Sequence, residues 1–201
     1  PTSVAERTFM YTNSAFFNNS QISFKDNSKP LIVSSCGTYR LSNITQLPTL
    51  RPKGRPDYQL LYVAAGKAHF YFDGKEEIVS AGHMVLYYPK EPQKYVYYGT
   101  DKTEVYWVHF TGGKVKEILS NYHIPSDKHV IFSGTSAEYQ WLFLQMIQEL
   151  LMCRPGYEEL LTLMLPQIFL LIDRQLQEKK GNCYIQEEIE KATYYFNENY
   201  H

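Results

Sequence analysis

RPKGRPDYQLLYVAAGKAHFYFDGKEEIVSAGHMVLYYPKEPQKYVYYGTDKTEVYWVHFTGG, residues 51–113, is the stretch whose reading decides the fold. Short runs of apolar and aromatic residues recur through it: Leu60 to Val63, His69 to Phe72, Glu77 to Val79, Met84 to Tyr88, Tyr95 to Tyr98 and Glu104 to Phe110. None carries a helical period, and each is bounded by turn chemistry. Gly66, inside Ala64-Ala65-Gly66-Lys67, supplies the positive φ of a tight reversal, so the first two runs are expected to pair as a hairpin. Asp73-Gly74 is among the strongest short hairpin signals and predicts a second. Pro89 and Pro92 close the strand that ends at Tyr88. About six closely spaced strands of this kind predict an antiparallel sandwich or barrel.

Downstream the period changes. Tyr139, Leu142, Phe143, Met146, Ile147, Leu150 and Leu151 form one apolar stripe at helical spacing, stopped by Pro155-Gly156. A second helix begins near Tyr157 and carries Leu160, Leu161, Met164, Leu165, Ile168, Leu171 and Ile172. Pro166 inside it predicts a kink. The two helices are expected to form an antiparallel hairpin, with a shorter helix over 114–122 before them. Upstream, residues 1–30 are polar, rich in Asn and Ser around isolated Phe9, Tyr11, Phe16 and Phe17, and read either as an arm or as an unstructured leader. The division is an arm over 1–30, a barrel over 31–113, a helical region over 114–180, and a linker with the start of another helix over 181–201.

Composition sets the outer bounds. The chain has 201 residues, is 44% hydrophobic and has a formal net charge of -1. That suits a globular core but gives no basic footprint for nucleic acid. Cys36, Cys153 and Cys183 are far apart with no CxxC, which suggests neither a disulfide framework nor a zinc site and fits a reducing cytoplasm. The longest apolar stretch, 160–172, is interrupted by Thr162, Pro166 and Gln167 and is shorter than the ~20 residues of a membrane span. Residues 1–28 lack the apolar core of a signal peptide. A first residue other than Met and a last one inside a helical pattern suggest a trimmed piece of a longer protein.

The motifs RPKGRPDY, SAGHMVLYYPKEPQKY and YWVHFTGG, in this order and spacing, resemble the effector-binding cupin domain of AraC-type transcription regulators over most of residues 30–113. The run from Ile189 to Tyr200 resembles the first helix of that family's helix-turn-helix domain. The resemblance implies a mostly β fold with C-terminal helices, a cupin-like double-stranded β-helix barrel followed by the helical hairpin. It also implies a non-enzymatic sensing and dimerisation domain whose DNA-reading part is absent from this chain. Its effector is expected to be a sugar. Aligned on these motifs, Arg51, Tyr95 and Trp107 fall at positions that contact sugar in sugar-responsive members. Arg51 would donate a fork of hydrogen bonds, Tyr95 would hydrogen-bond from the wall and Trp107 would stack. Arg55 competes with Arg51 for its role. Val105 departs from the pattern, since a sugar-responsive relative can place a histidine there. The family's arms close over bound effector, and its matching helix makes an antiparallel homodimer contact, which places Leu160, Leu161, Met164, Ile168 and Leu171 at the interface.

The residues themselves offer little to catalysis. His69, His83 and His109 are widely spaced with no HxH, so neither a metal nor another cofactor is expected. No GxSxG occurs, and Glu76, Glu77, Asp101 and Glu104 read as solvated turn acids. In a regular strand Val105, Trp107 and His109 share a face, which makes His109 a further candidate for the pocket. Tyrosine is abundant, 18 residues, and those in the barrel include positions 62, 71, 87, 88, 95, 97, 98 and 106. With Trp107 they could build a pocket for a polar small molecule, although strand alternation sends about half of such rings outward. A metal-free cupin enzyme, such as a sugar isomerase or epimerase, is the alternative and needs a histidine or carboxylate dyad inside the barrel. A scaffold whose pocket is plugged by tyrosines is a third reading.

Overall fold

At Asp73 and Gly74 the chain reverses with φ of 51° and 78°, the paired positive values of a two-residue hairpin turn. Strands β5 (Lys67–Phe72) and β6 (Lys75–Ser80) pair across it, from Phe72 opposite Lys75 to Lys67 opposite Ser80. This expected hairpin is present; the one expected at Gly66 is not. Strand β4 (Tyr58–Ala65) pairs with β7 (His83–Tyr87) and β9 (Glu104–Thr111), whereas β5 pairs with β6 and β8 (Gln93–Tyr98) in a second sheet. Gly66, at φ 67°, is therefore a corner between layers. The carbonyl oxygen of Asp101 lies 2.1 Å from where a Cβ at position 66 would stand, so the loop after β8 packs against the bend. A glycine permits a reversal in either case; whether the two strands then pair or diverge is decided by which layer each one completes.

The computed structural model describes residues 10–17, 24–43 and 45–199, with side chains described up to residue 178. Within these residues strands β1 (Met10–Phe16), β2 (Ile32–Leu41), β3 (Gln46–Arg51) and β10 (Val130–Phe132) complete two antiparallel sheets. One runs β1-β2-β9-β4-β7-β10 and the other β3-β8-β5-β6. From β4 to β9 the chain changes sheet at each connection except the β5–β6 hairpin, which winds the strands as a cupin-like double-stranded β-helix.

All eight residues of β9 are buried, because both faces of the larger sheet are covered. Strand alternation sorts its side chains between two cores. Val105 and Trp107 point between the sheets and join Leu61, Val63, Phe70, Tyr87, Tyr95 and Tyr97. Tyr106, Val108 and Phe110 point outward and join Leu60, Tyr62, Met84 and Leu86 beneath the helices. Each fully buried large apolar side chain contributes about 1.5–3 kcal/mol, so the outer core holds the helices firmly on the sheet.

Helix α1 (Val115–Asn121) follows β9. Helix α2 (Ala137–Met152) starts at Ser136, whose Oγ accepts from the Glu138 N–H at 3.1 Å, and ends at Cys153 in a left-handed conformation with φ 48°. Its stripe of Tyr139, Leu142, Phe143, Met146, Ile147 and Leu150 is buried on the sheet, while Leu151 is exposed. Helix α3 (Tyr157–Asn199) returns antiparallel and contributes Leu161, Leu165, Ile168, Phe169 and Ile172 to the same core. Leu161 and Ile168, expected at a dimer seam, are thus 1% and 0% exposed and committed to their own chain. The backbone of α3 stays helical through Pro166 and through 181–199, where a linker was expected. A single interior glycine costs roughly 1 kcal/mol, which neighbours such as Glu178-Lys179-Lys180 and Glu187 to Lys191 offset by their own helix propensity. The side chains of 179–201 and all of residues 1–9 and 18–23 lie outside the described residues. The part of the N-terminal segment that is described is no loose leader: Met10–Phe16 pairs with β2 from Met10 opposite Leu41 to Phe16 opposite Ser35. Among the described residues no helix is long and apolar enough to cross a membrane.

Candidate functional site

The core between the sheets is not filled throughout. Near the ends of β2, β3, β8 and β9 it opens into a cavity of about 230 Å³ with a mainly polar lining. Trp107 and His109 reach it from β9, Tyr95 and Tyr97 from β8, and Gln59 from β4, opposite His109 in register. Arg51 enters from the end of β3, Arg55 from the following loop and Phe16 from the end of β1. All five residues expected from the sequence to meet a ligand, Arg51, Arg55, Tyr95, Trp107 and His109, therefore line one space.

The two arginines are held differently. Arg55 donates from Nε and Nη2 to both carboxylate oxygens of Asp57, at 2.7 and 2.9 Å. Asp57 is 1% exposed and also accepts from Ser34 Oγ at 3.4 Å. Arg51 donates only from Nη1, to Gln93 Oε1 at 2.8 Å and to the Tyr95 hydroxyl at 3.3 Å. Gln59 Nε2 also donates to that hydroxyl at 3.3 Å, leaving the phenolic proton of Tyr95 free to point elsewhere. Trp107 lies against Gly37, its partner across the strands, where a Cβ would stand 2.4 Å from the indole ring. Phe16 and Tyr39 flank the same indole with ring centroids 6.3 and 6.1 Å away.

His109 is 5% exposed, and Ser35 Oγ lies 2.7 Å from its Nδ1. Burial, then the nearby charges of Arg55 and Arg51, hold its pKa well below the ordinary histidine value, so it is neutral. The unfolded chain protonates this histidine below about pH 6.5 while the folded chain does not. In that window the unfolded state binds more protons, and stability falls as pH drops toward the folded pKa. The slope from this one group approaches about 1.4 kcal/mol per pH unit. Urea unfolding of His109→Gln beside the wild type, from about pH 7 to about pH 5, should give the variant the shallower loss; parallel slopes would show that His109 carries no such penalty.

Among the described residues several buried polar atoms have no hydrogen-bond partner: Gln59 Oε1, Tyr97 OH, Trp107 Nε1 and His109 Nε2 at the cavity, and also Tyr87 OH and Gln93 Nε2. Trp107 Nε1 is turned toward the Tyr39 phenol without reaching hydrogen-bond geometry. A larger groove of about 770 Å³ lies between the start of β2 and the α2–α3 turn. Its walls, including Leu31, Val33, Ile118, Leu161 and Pro166, present no such orphaned atom, and Lys29 and Glu158 at its rim neutralise one another. The smaller cavity is the one equipped to recognise a polar ligand.

The groups gathered there can donate and accept hydrogen bonds and stack on a ring. The carboxylate of Asp57 is bound to Arg55, and the histidine's side-chain partner is a hydroxyl, so no carboxylate–histidine dyad forms among these groups. His69 and His83 lie elsewhere, His69 between Glu76 and Asp101 and His83 against the Ser80 carbonyl. Among the described residues no three of His, Cys, Asp and Glu converge as metal ligands. Cys36 and Cys153 are both free thiols, the first buried and the second exposed.

A model of the AraC-like ligand binding domain matches residues 35–168, a span that holds every one of these cavity residues except Phe16 and Ser34. The chain belongs to that family. No curated protein matches the sequence. Among solved structures, an apo variant of ToxT from Vibrio cholerae is similar at 13% identity over 78% of this chain and 59% of that one, with a TM-score of 0.46. EutQ from Clostridium difficile is similar at 20% identity over 50% and 67%, with a TM-score of 0.33. The Cupin_2 domain of an XRE family transcriptional regulator from Enterobacter cloacae is similar at 12% identity over 50% and 94%, with a TM-score of 0.34.

For this AraC-like domain, motif reading missed Ser35, Asp57, Gln59 and Gln93. A signal for two of them was present. Gln59 is a polar residue on the same strand face as Leu61 and Val63, and Asp57 precedes it by one more step of two. Gln93 is found only through its pairing opposite Arg51, which a single sequence does not display.

Proposed function

We propose that this AraC-type domain is the sensor of a transcription regulator and binds a small polyhydroxylated molecule, a sugar or sugar derivative, in the 230 Å³ cavity. The observation that carries the reading is the set of unpaired polar atoms of Gln59, Tyr97, Trp107 and His109 gathered beside the Trp107 ring. Leaving a buried polar group unsatisfied costs about 1–3 kcal/mol, so four in one place favour an occupant that hydrogen-bonds to them. An aromatic ring among such groups suits the C–H face and hydroxyls of a sugar. The missing dyad favours sensing over an isomerase or epimerase. The test is a panel of monosaccharides and their derivatives, read by melting temperature and by Trp107 fluorescence. At least one carbohydrate should raise the melting temperature, and Trp107→Ala should weaken its binding by about 1–3 kcal/mol. A panel without any shift at millimolar concentration would reject the assignment.

Phe16 of β1 forms part of the cavity wall, so occupancy bears directly on the N-terminal strand. In the proposed mechanism the effector binds with different affinity to the docked and released states of β1, and that difference is passed to DNA-reading domains lying outside this chain. The protein works in the cytoplasm as a homodimer. The surface best suited to pairing is the outer side of α3, where Leu160, Leu163 and Leu170 are 41%, 63% and 37% exposed and Met164 and Leu171 are half-buried. An isologous contact repeats each substitution about its axis. Leu163→Glu should therefore sediment as a folded monomer beside a dimeric wild type, and a wild type that is itself monomeric would reject the dimer.

A further inference from the structure

We propose that the ligand of this cavity is an acid, a monosaccharide-sized hydroxycarboxylate such as an aldonic or uronic acid, with its carboxylate seated on Arg51. The proposal rests on the reading of the cavity as a carbohydrate site and goes on to name the class of carbohydrate.

Charge bookkeeping around the cavity leaves one cation over. Arg55 is neutralised by the bidentate Asp57 carboxylate. Arg51 makes no ion pair among the described residues. Its side-chain partners among the described residues are the neutral Gln93 and Tyr95, both reached from Nη1, so Nε and Nη2 have no partner among them. The nearby Glu91 is engaged elsewhere, accepting from the Tyr88 N–H at 2.7 Å and lying 3.7 Å from His129. A guanidinium half-buried in a polar cavity without a counter-ion is a site for one.

The hydrogen-bonding balance points the same way. Tyr95 OH already accepts from Arg51 and Gln59, so what it has left is its proton. Trp107 Nε1 is a donor only, and Arg51 adds Nε and Nη2. Of the other unpaired cavity atoms, Gln59 Oε1 accepts, the Tyr97 hydroxyl both donates and accepts, and His109 Nε2 does one or the other according to the tautomer set by its contact with Ser35, so the surplus of donors comes from Arg51, Tyr95 and Trp107. A neutral sugar brings about as many donors as acceptors, whereas a carboxylate brings acceptors alone, up to four lone-pair sites. The walls are donor-rich, so the acid is the better complement, and Arg51 can meet it with the parallel pair of bonds that a guanidinium makes to a carboxylate. Size and charge limit the choice further. A cavity of about 230 Å³ lies just below the roughly 300–1,000 Å³ of sites for drug-sized ligands, which suits a monosaccharide. A phosphate ester carries close to two charges and would need a second free cation, which the Arg55–Asp57 pair does not supply.

Isothermal titration with matched pairs tests this: glucose against glucuronate and gluconate, galactose against galacturonate, and glucose 6-phosphate as the dianion. At least one sugar acid should bind about tenfold or more tightly than its neutral parent, the worth of a charge-assisted hydrogen bond. Arg51→Gln should weaken the acid by about tenfold more than it weakens the neutral parent, and Arg51→Lys, which keeps the charge and loses the fork, should restore part of that difference. Neutral sugars binding as tightly as their acids, or the phosphate ester binding best, would overturn the acid while leaving carbohydrate sensing in place. A panel in which neither neutral nor acidic sugars bind would overturn both.

Discussion

Replacing Asp57 with alanine is expected to lower the stability of this domain by about 3 kcal/mol or more, because a buried ion pair broken on one side leaves an uncompensated charge. The Asp57 side chain is wholly buried and that of Arg55 is 13% exposed, and the two share both hydrogen bonds of a bidentate pair. The effect belongs at the lower end of the usual 3–5 kcal/mol range, since a freed Arg55 guanidinium still borders a polar cavity that admits water. Against a total stability of roughly 5–15 kcal/mol, such a loss moves the urea midpoint far enough to read without ambiguity. Asp57→Asn keeps the shape and removes the charge, and should fall between the wild type and the alanine variant. The double variant Arg55→Met, Asp57→Leu should recover most of the loss, because well-packed apolar residues often replace a buried pair at no net cost. An alanine variant within about 0.5 kcal/mol of the wild type, the usual range of a surface substitution, would show that the pair does not anchor the loop between β3 and β4.

The positions of the strands were legible because apolar runs and turn residues coincide from β4 to β9. Their partners were legible at one turn only. Asp73-Gly74 demands two consecutive positive φ values, and that geometry itself holds the flanking strands together, so the pairing was readable from two residues. Gly66 and Gly82 have equally positive φ, yet the chain crosses between sheets at both. Glycine encodes the permission to turn, while the destination depends on contacts such as the Asp101 carbonyl against Gly66, which lies 35 residues further along the chain. The same distinction applies to the helices. Spacing by three and four placed Leu161 and Ile168 on the apolar face of α3, but it could not say whether that face meets the chain's own sheet or a second copy.

The candidate site divides along similar lines. His109 was placed on the face of Trp107 by period-two alternation within one strand, which local sequence encodes directly. Arg51, Tyr95 and Trp107 came from resemblance, with Arg55 as the competitor of Arg51, and all four line the cavity. What remained hidden was how the arginines differ. RPKGRPD shows two equivalent arginines, Arg51 and Arg55, and only the fold reveals that Asp57 turns back onto Arg55 and leaves Arg51 to neutral partners. Val105, the position that departs from the family pattern, is fully buried among apolar neighbours of the inner core and is not among the residues that line the cavity.

Phe143→Ala should cost about 3–5 kcal/mol, the range for removing a buried phenylalanine from a core that cannot close over the gap. Phe143 is 0% exposed, stacks parallel to Tyr62 with centroids 6.3 Å apart, and packs on Tyr106 at 5.6 Å. Its carbonyl oxygen also accepts from the Cys36 thiol at 3.5 Å. It therefore joins α2 to three strands of the larger sheet, β2, β4 and β9, whose other face lines the ligand cavity through Ser35, Gln59 and Trp107. If helices and barrel are one cooperative unit, the loss must appear equally in both. The two tryptophans allow the test, since Trp107 lies in the cavity and Trp141 is 54% exposed on α2. In a Trp141→Phe background, urea unfolding followed by Trp107 emission and by far-ultraviolet circular dichroism should give coincident transitions, both shifted by Phe143→Ala to the same extent. Helical signal lost at lower urea while Trp107 keeps its native emission would mean that the hairpin unfolds on its own. Ligand occupancy sensed in the barrel could then not be relayed to α3 through this packing, because coupling between two places requires that the element between them respond as a unit.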